Sequence, residues 1–327
     1  MRDKWAFLFV ALGYLGGGLA PCHAQSNYPS KPVRIYVGAA PGGGIDAITR
    51  LVTRTISENN RGYNFIVDNQ AGASGAIAVN KAAASPPDGY ALVGGSESMT
   101  LGQVFHRFDT DVRKTLAPVG IMALQPTLLF VNINVPVNTA AELVAYAKKN
   151  PGKLNYFSTG VGTNYHLGML RLQEMAGISM VHIPYKGGSQ AAIDLASGNL
   201  QVMFGSTSPL PLVRTGKAKL LATASLSRHP QFPDVPTLVE SGFPGFDMAS
   251  SFRLFIPSPT PDAIKNSLNQ AIYQAATAPE VVKAGAPSGY IAPPPMSPAE
   301  MMKSWLAEHD RLAEIARKAG VTSLESN

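Results

Sequence analysis

The chain has 327 residues, 45% hydrophobic and 15% charged, with 31 Gly, 26 Pro and one Cys. That composition excludes a disordered, collagenous or disulfide-stapled protein, and the length calls for two packed units of ordinary domain size. The net charge of +6 is spread along the chain without a dense Lys/Arg run or aromatic-basic interleaving, so anionic ligands suit it and nucleic acid is not an expected partner.

The first predicted element is a secretory signal. Arg2 and Lys4 precede an apolar run from Trp5 to Ala20, and 16 residues carrying four Gly fall short of the roughly 20 that a bilayer span needs. Cys22-His23-Ala24 sets small residues at the minus-three and minus-one positions of a cut, which makes residues 1–24 the signal peptide and Gln25 the mature start. Leu19-Ala20-Pro21-Cys22 has the outline of a lipobox, so lipid anchoring at Cys22 is the alternative to simple cleavage. On either route the protein leaves the cytoplasm, and the periplasm is the expected location. Cleavage would remove the only Cys together with Arg2, Asp3 and Lys4, leaving a net charge of +5 and no disulfide.

From Val33 to Val37 apolar residues alternate with Arg34 and Tyr36, and a Gly/Pro turn then opens into a helical pattern from Ile45 to Glu58. Phe65 to Val67 reads as a strand and Gly75 to Ala84 as an Ala-rich helix. Pro86-Pro87-Asp88-Gly89 reads as a turn before strand Tyr90 to Val93. This rhythm predicts a parallel sheet covered by helices. After a strand at Thr127 to Val131 the rhythm repeats. A helix over 139–149 with a Thr139/Glu142 capping box is followed by strand 154–157, helix 164–176, strand 180–183, helix 189–197 and strands 201–204 and 220–224. The Pro-rich run 230–244 reads as a surface excursion before strand 251–256. Helices follow, the last starting at Ser297-Pro298 with Glu300 completing a capping box and a Met301, Met302, Trp305, Leu306, Leu312, Ile315 stripe at core spacing. With no new run of strands, the C-terminus is expected to pack back on the first unit. This yields two α/β lobes, residues 25–127 plus 250–327 and residues 128–249, joined by two crossovers.

Three Gly-containing turns each follow a predicted strand and open a helix: Ala39 to Asp46, Ser158 to Asn164, and Tyr185 to Ser189. In open α/β sheets such turns lie at the carboxyl ends of the strands, where ligands bind. Unpaired amides and the positive helix end form an anion site there, each charge-assisted bond contributing about 1.5 to 3 kcal/mol. Glycine can equally serve only to make the turns tight, but three turns drawn from both halves favour a cleft. None is a nucleotide fingerprint: Tyr165 stands where a third glycine should, and Lys186-Gly187-Gly188-Ser189 lacks the phosphate-loop spacing. Asp46, in the first turn of its helix, either offsets the dipole and pairs with Arg50 or receives a ligand hydroxyl, ammonium or water. The six His show no metal-ligand spacing, and no cofactor or metal is expected. His166 either contributes to the cleft or packs its own helix. Gly72-Ala73-Ser74-Gly75-Ala76 fails as a nucleophile elbow at Ala76, which leaves Ser74 a polar contact or helix cap.

The chain resembles the solute-binding receptors of the tripartite tricarboxylate transporter family, the Bug-type periplasmic receptors. The matching stretches are Tyr28 to Arg34, Gly42 to Asp46, Asp68 to Gly75, Pro87 to Tyr90, Glu142 to Leu154, Ser158 to His166, His182 to Gly188 and Pro233 to Thr237, over about residues 28 to 320. The resemblance implies a type II periplasmic-binding-protein fold, with small carboxylates held between two hinged lobes and delivered to an integral membrane permease. By motif position it implies that Ala40, Gly43 and Asp46 line the first-lobe side with Ser74 nearby, and that Gly162, Thr163, Asn164, Gly187 and Gly188 line the other. Such a receptor is expected to be a monomer and not an enzyme. A ligand sensor for a membrane kinase is the nearest alternative, and a secreted ester hydrolase using Ser74 or Ser158 is the alternative of a different class. The chain departs from the family pattern at Gln70, Ser74 and Ala76, and in having no tryptophan near Phe252 and Arg253. These positions border the cleft, so the identity of the ligand is not legible.

Overall fold

The computed structural model describes residues 28–59, 62–323 and 325–326; the expected signal peptide lies outside them. Strand β1 (Val33–Val37) has Val33, Ile35 and Val37 fully buried and Arg34 exposed, as its alternation predicts. It pairs in parallel with β2 (Phe65–Asn69) and β3 (Ala91–Gly95). Helix α1 (Gly44–Asn59) lays Ile48, Val52 and Ile56 on that sheet, each burial contributing on the order of 1.5 to 3 kcal/mol. After the 3₁₀ turn Ala73–Gly75, helix α2 (Ala76–Ala83) covers the other face.

Three elements that follow were not legible: α3 (Glu97–Val104), the short α4 (Val112–Thr115) and the ten-residue strand β4 (Leu116–Gln125). Most of β4 is buried on both faces, so it carries no period-2 signal, and Pro118 and Gly120 disguise it further. The chain then enters the second lobe through residues 126–127. That lobe contains β5 (Leu128–Asn132), α5 (Ala140–Lys149), β6 (Asn155–Ser158), β7 (Gly160–Val161), α6 (Asn164–Ala176), β8 (Val181–Pro184), α7 (Gly188–Ser197), β9 (Val202–Gly205), α8 (Leu210–Arg214) and β10 (Ala218–Thr223). The chain returns through 224–249 into β11 (Ser250–Pro257). Thr127 Oγ1 donates to Met248 O at 2.8 Å and ties the two crossovers together.

The first sheet runs β2-β1-β3-β11-β4 and the second β10-β5-β9-β6-β8. Both are mixed, which corrects the expectation of parallel sheets: β11 runs antiparallel to β3 and β4, and β5 antiparallel to β9 and β10. A strand that has just crossed the hinge enters its new sheet from the cleft end, opposite to the strands that end there. The result is the two-lobed type II periplasmic-binding-protein fold.

Helices α9 (Asp262–Ala276), α10 (Pro279–Gly285) and α11 (Pro298–Lys318) follow. The Ser297/Glu300 capping box is complete, whereas at α5 Glu142 reaches the Asn138 amide instead of closing the Thr139 box. The last helix packs on the first unit and reaches beyond it. At about 1.5 Å per residue α11 is roughly 30 Å long, enough to reach both lobes. Its Trp305 lies in a first-lobe core with Phe255, while Leu312, Ile315 and Ala316 lie in the second-lobe core, and Lys318 pairs with Glu174 at 3.0 Å. The two-residue strand β12 (Glu325–Ser326) then pairs with β7. The Pro-rich excursion is likewise anchored, with Leu238, Phe243 and Phe246 in the second-lobe core. No described helix is long and apolar enough to cross a membrane.

A candidate ligand cleft between the lobes

The first glycine turn is closed by its own atoms. Gly43 N–H donates to Ala40 O at 3.2 Å, and Gly42 N–H donates to Asp46 Oδ2 at 2.9 Å. Asp46 Oδ1 accepts from Arg50 Nε and from Asn69 Nδ2, both at 2.9 Å. Burial pushes the Asp46 pKa up, but the Gly42 amide, Asn69 and Arg50 together outweigh it and hold the carboxyl below its ordinary value. Asp46 is therefore a buried anion that shapes the turn, the dipole-and-Arg50 role, with both oxygens already engaged. The donors left for a ligand are the first-turn amides of α1, from Gly44 onward, which have no intrahelical acceptor. Ala40 is exposed at the turn, and the side chain of Ser74 lies outside the described ones. Gly38 lets the end of β1 touch the 3₁₀ turn: a Cβ there would lie 2.6 Å from Gly75 Cα.

The second turn is organised by neutral side chains. Ser158 Oγ lies 2.6 Å from His182 Nε2 and accepts from Gly160 N–H at 3.0 Å. Gly162 N–H donates to His166 Nδ1 at 3.1 Å, and the two imidazoles stack 4.2 Å apart. Burial, then the neighbouring His182, push the His166 pKa down to about 4, and burial lowers His182. Thr163 Oγ1 donates to Gly160 O at 2.7 Å, and Asn164 Nδ2 donates to Met248 O at 3.2 Å, linking α6 to the returning crossover. The amides of Asn164, Tyr165 and His166 start α6 and lack intrahelical acceptors. In the third turn Gly187 and Gly188 open α7, and Gly188 comes near Ser208 after β9.

The two lobes meet along α3, which sequence reasoning passed over: its Leu101 lies in the second-lobe core, and Val104 and Phe105 pack on the same core. Burial first, and then the charge of Glu97 at the start of α3, push the hydroxyls of Tyr165 in the second lobe and Tyr290 in the first above their ordinary pKa values. Tyr290 OH donates to Gly44 O at 3.3 Å and its ring packs on Phe252. Tyr290 thus covers the α1 start, and α3 packs its Leu101 beside α6 of the second lobe. A cavity of about 80 Å³ at the first-lobe strand ends is lined by Gly38, Ala39, Gly75, Gly95, Ser96 and Ser98. Gly94-Gly95-Ser96 is a fourth strand-to-helix glycine turn, the signal that could have found the start of α3. Outside the cleft, Thr207 Oγ1 and Gln231 Nε2 each donate at 3.1 Å to carbonyls of residues 286–287, fastening the lobes at one side.

The sequence model of the tripartite tricarboxylate transporter family receptor matches residues 48–321. The chain belongs to that family. A UPF0065 protein of Pseudomonas sp. strain P51, encoded in the tcbD-tcbE intergenic region, is 35% identical over 260 residues, covering 79% of this chain and 77% of that one. Among solved structures, an R. palustris protein with adipate is 30% identical with a TM-score of 0.71, covering 90% of this chain and 98% of its own. MatC from Rhodopseudomonas palustris, with bound malate, is 27% identical with a TM-score of 0.68, covering 88% and 99%. The family and fold are those of periplasmic solute-binding receptors, not enzymes. In this receptor Ser158 does have a histidine in reach, but the residue has no exposed surface and its oxygen is bound into the Gly160 turn. The pair holds the Gly160 turn. Among the described residues no group of three or more His, Cys, Asp or Glu is placed to hold a metal.

Proposed function

We propose that this receptor captures a small carboxylate between its lobes and delivers it to the membrane permease of a tripartite tricarboxylate-type transporter. The observation that carries the reading is the pair of glycine-turn helix starts, α1 in the first lobe and α6 in the second, whose first-turn amides lack intrahelical acceptors while the amides of Gly42, Gly43 and Gly162 are spent closing the turns. Such amides bind an anion without a charged side chain. The carboxylates held by the adipate-bound and malate-bound relatives support the same chemistry. On this reading Gly43, Asp46, Gly162 and Thr163 build the turns that aim the amides; the adjacent residues Gly44, Asn164 and Tyr165, with Gly187 and Gly188, make the contacts. Ala40 and Ser74 border them. Closure follows from the ligand's differential affinity for the closed form.

A thermal-shift screen of the mature protein against mono- and dicarboxylates, aromatic acids and amino acids tests this. A ligand at 100 times its Kd adds about 2.7 kcal/mol, a rise of roughly 5 °C at this size. No response to any carboxylate, or acyl-ester turnover abolished by Ser158→Ala, would remove the proposal. Co-purification of the ligand-loaded protein with its permease would establish the partner.

A further inference from the structure

A cavity of about 290 Å³ lies beside the hinge, apart from the glycine turns. Its walls come from β4, both crossovers, the segment before α11 and α11 itself, and none of its residues lines the cavity at the first-lobe strand ends. It sits on the α11 side of β11, where Arg253 reaches Glu308. Phe252, on the opposite side of that strand, packs on Tyr290 over the α1 start. The volume is close to the lower end of small-molecule sites, and the lining has their character: Ile121, Leu124, Leu226, Ile291 and Met296 form apolar wall around a few polar groups. Leu226 keeps 66% of its surface exposed there.

Three polar atoms of the same wall are buried without a hydrogen-bond partner among the described residues: Ser251 Oγ, Arg253 Nε and Arg311 Nε. Two are guanidinium N–H groups, which only donate, and the third is a hydroxyl that can donate. The carboxylate oxygens beside them are engaged. Glu308 Oε1 accepts from Thr100 Oγ1 and Oε2 from Arg253 Nη2, both at 2.8 Å, and Asp247 Oδ1 accepts from Ala249 N–H at 3.2 Å. What the wall lacks is therefore an acceptor, and buried donors left unpaired are unfavourable. Arg311 has only a long contact to Asp247, 3.8 Å, so an anion can join it without breaking a short ion pair. We propose that this hinge cavity is a second ligand site that takes a small monocarboxylate with an apolar ring or chain, its carboxylate on Arg311, Arg253 and Ser251 and its apolar body against Ile121, Leu226 and Met296. The site is independent of what the cleft between the glycine turns binds.

Benzoate is the probe, with acetate, benzyl alcohol and benzylamine as controls, on the mature protein carrying Ser304→Cys, an exposed position in the cavity wall. From Gln25 onward the chain has no cysteine of its own, so the introduced thiol is the only one. Benzoate at about 1 mM should slow maleimide labelling of that thiol at least fivefold, and each control less than twofold. Adding Arg311→Gln or Leu226→Ser should raise the benzoate concentration for half-protection at least tenfold. Equal protection by benzylamine, or protection unchanged in the added variants, overturns the inference. Calorimetric binding of benzoate without protection places it in the cleft alone, which also overturns the inference and leaves the receptor reading standing; no binding and no protection overturns it as well. Leu226→Ser changes an exposed side chain, so the test holds even where Arg311→Gln does not fold.

Discussion

The glycine turns of the two lobes have the same outline in sequence and are held in different ways. The first is pinned by a buried ionised carboxylate, Asp46, drawing in a backbone amide, an asparagine and an arginine. The second is pinned by two stacked imidazoles and a serine, all uncharged at neutral pH. A charged pin resists until acid protonates it, whereas an imidazole pin weakens as soon as the unfolded chain begins to bind protons that the folded one refuses. The lobes should therefore fail in different pH windows and under different substitutions.

The largest expected effect is that of pH on the second turn. His166 has a folded pKa of about 4 against an ordinary 6.5, so the unfolded state binds more protons between those values and stability falls as pH drops through that window. The full loss is roughly 3 kcal/mol by pH 4 and is absent above about pH 6.5. His182 and His229, also lowered by burial, steepen the same slope. His166→Asn keeps an acceptor for the Gly162 amide and removes the titration, so urea midpoints measured from pH 7 to pH 4 should follow a shallower curve. An identical slope in the variant would show that His166 is not the pin.

Next comes Asp46→Ala, which strands the Gly42 amide, Asn69 and Arg50 at once. Because Arg50 is about half exposed, the cost should fall below that of a fully buried pair, at about 2 to 3 kcal/mol in chemical denaturation. The wild-type contribution of Asp46 persists above about pH 4 and disappears as pH falls through its lowered folded pKa, an acid window below that of the histidines. Loss of stability in Asp46→Ala under 0.5 kcal/mol would mean that the ionised network does not hold the first turn.

The smallest effects separate glycines that look alike in sequence. Gly162 has φ +77°, and a Cβ there would lie 2.7 Å from Ser323 O, so Gly162→Ala should cost about 2 kcal/mol. Gly187 is extended at φ 171° with open space around it, and Gly187→Ala should change stability by less than about 0.5 kcal/mol. Equal melting-temperature shifts in the two variants would contradict the geometry.

Most regular elements were legible because their apolar periodicity reports burial directly: Val33 to Val37 and helix 164–176 match the structure end to end. Strand β4 was not, since burial of both faces erases the alternation that marks a strand. In the candidate site, the glycine turns were legible, but which amides close them was not. The glycine that permits a turn spends its own amide closing it, as Gly43 and Gly162 do, and the free amides belong to the helix residues that follow.

Local sequence by itself determined the two-lobe rhythm, the export signal pattern and the position of each glycine turn, because these depend on residues adjacent in the chain. Tertiary structure alone decided that Asp46 is consumed by Gly42, Arg50 and Asn69, that α11 joins both lobes, and that Leu101 of α3 packs in the second-lobe core. Residues as far apart in the chain as Leu101 and Leu167 leave no shared periodicity; only the tertiary fold brings them into one core.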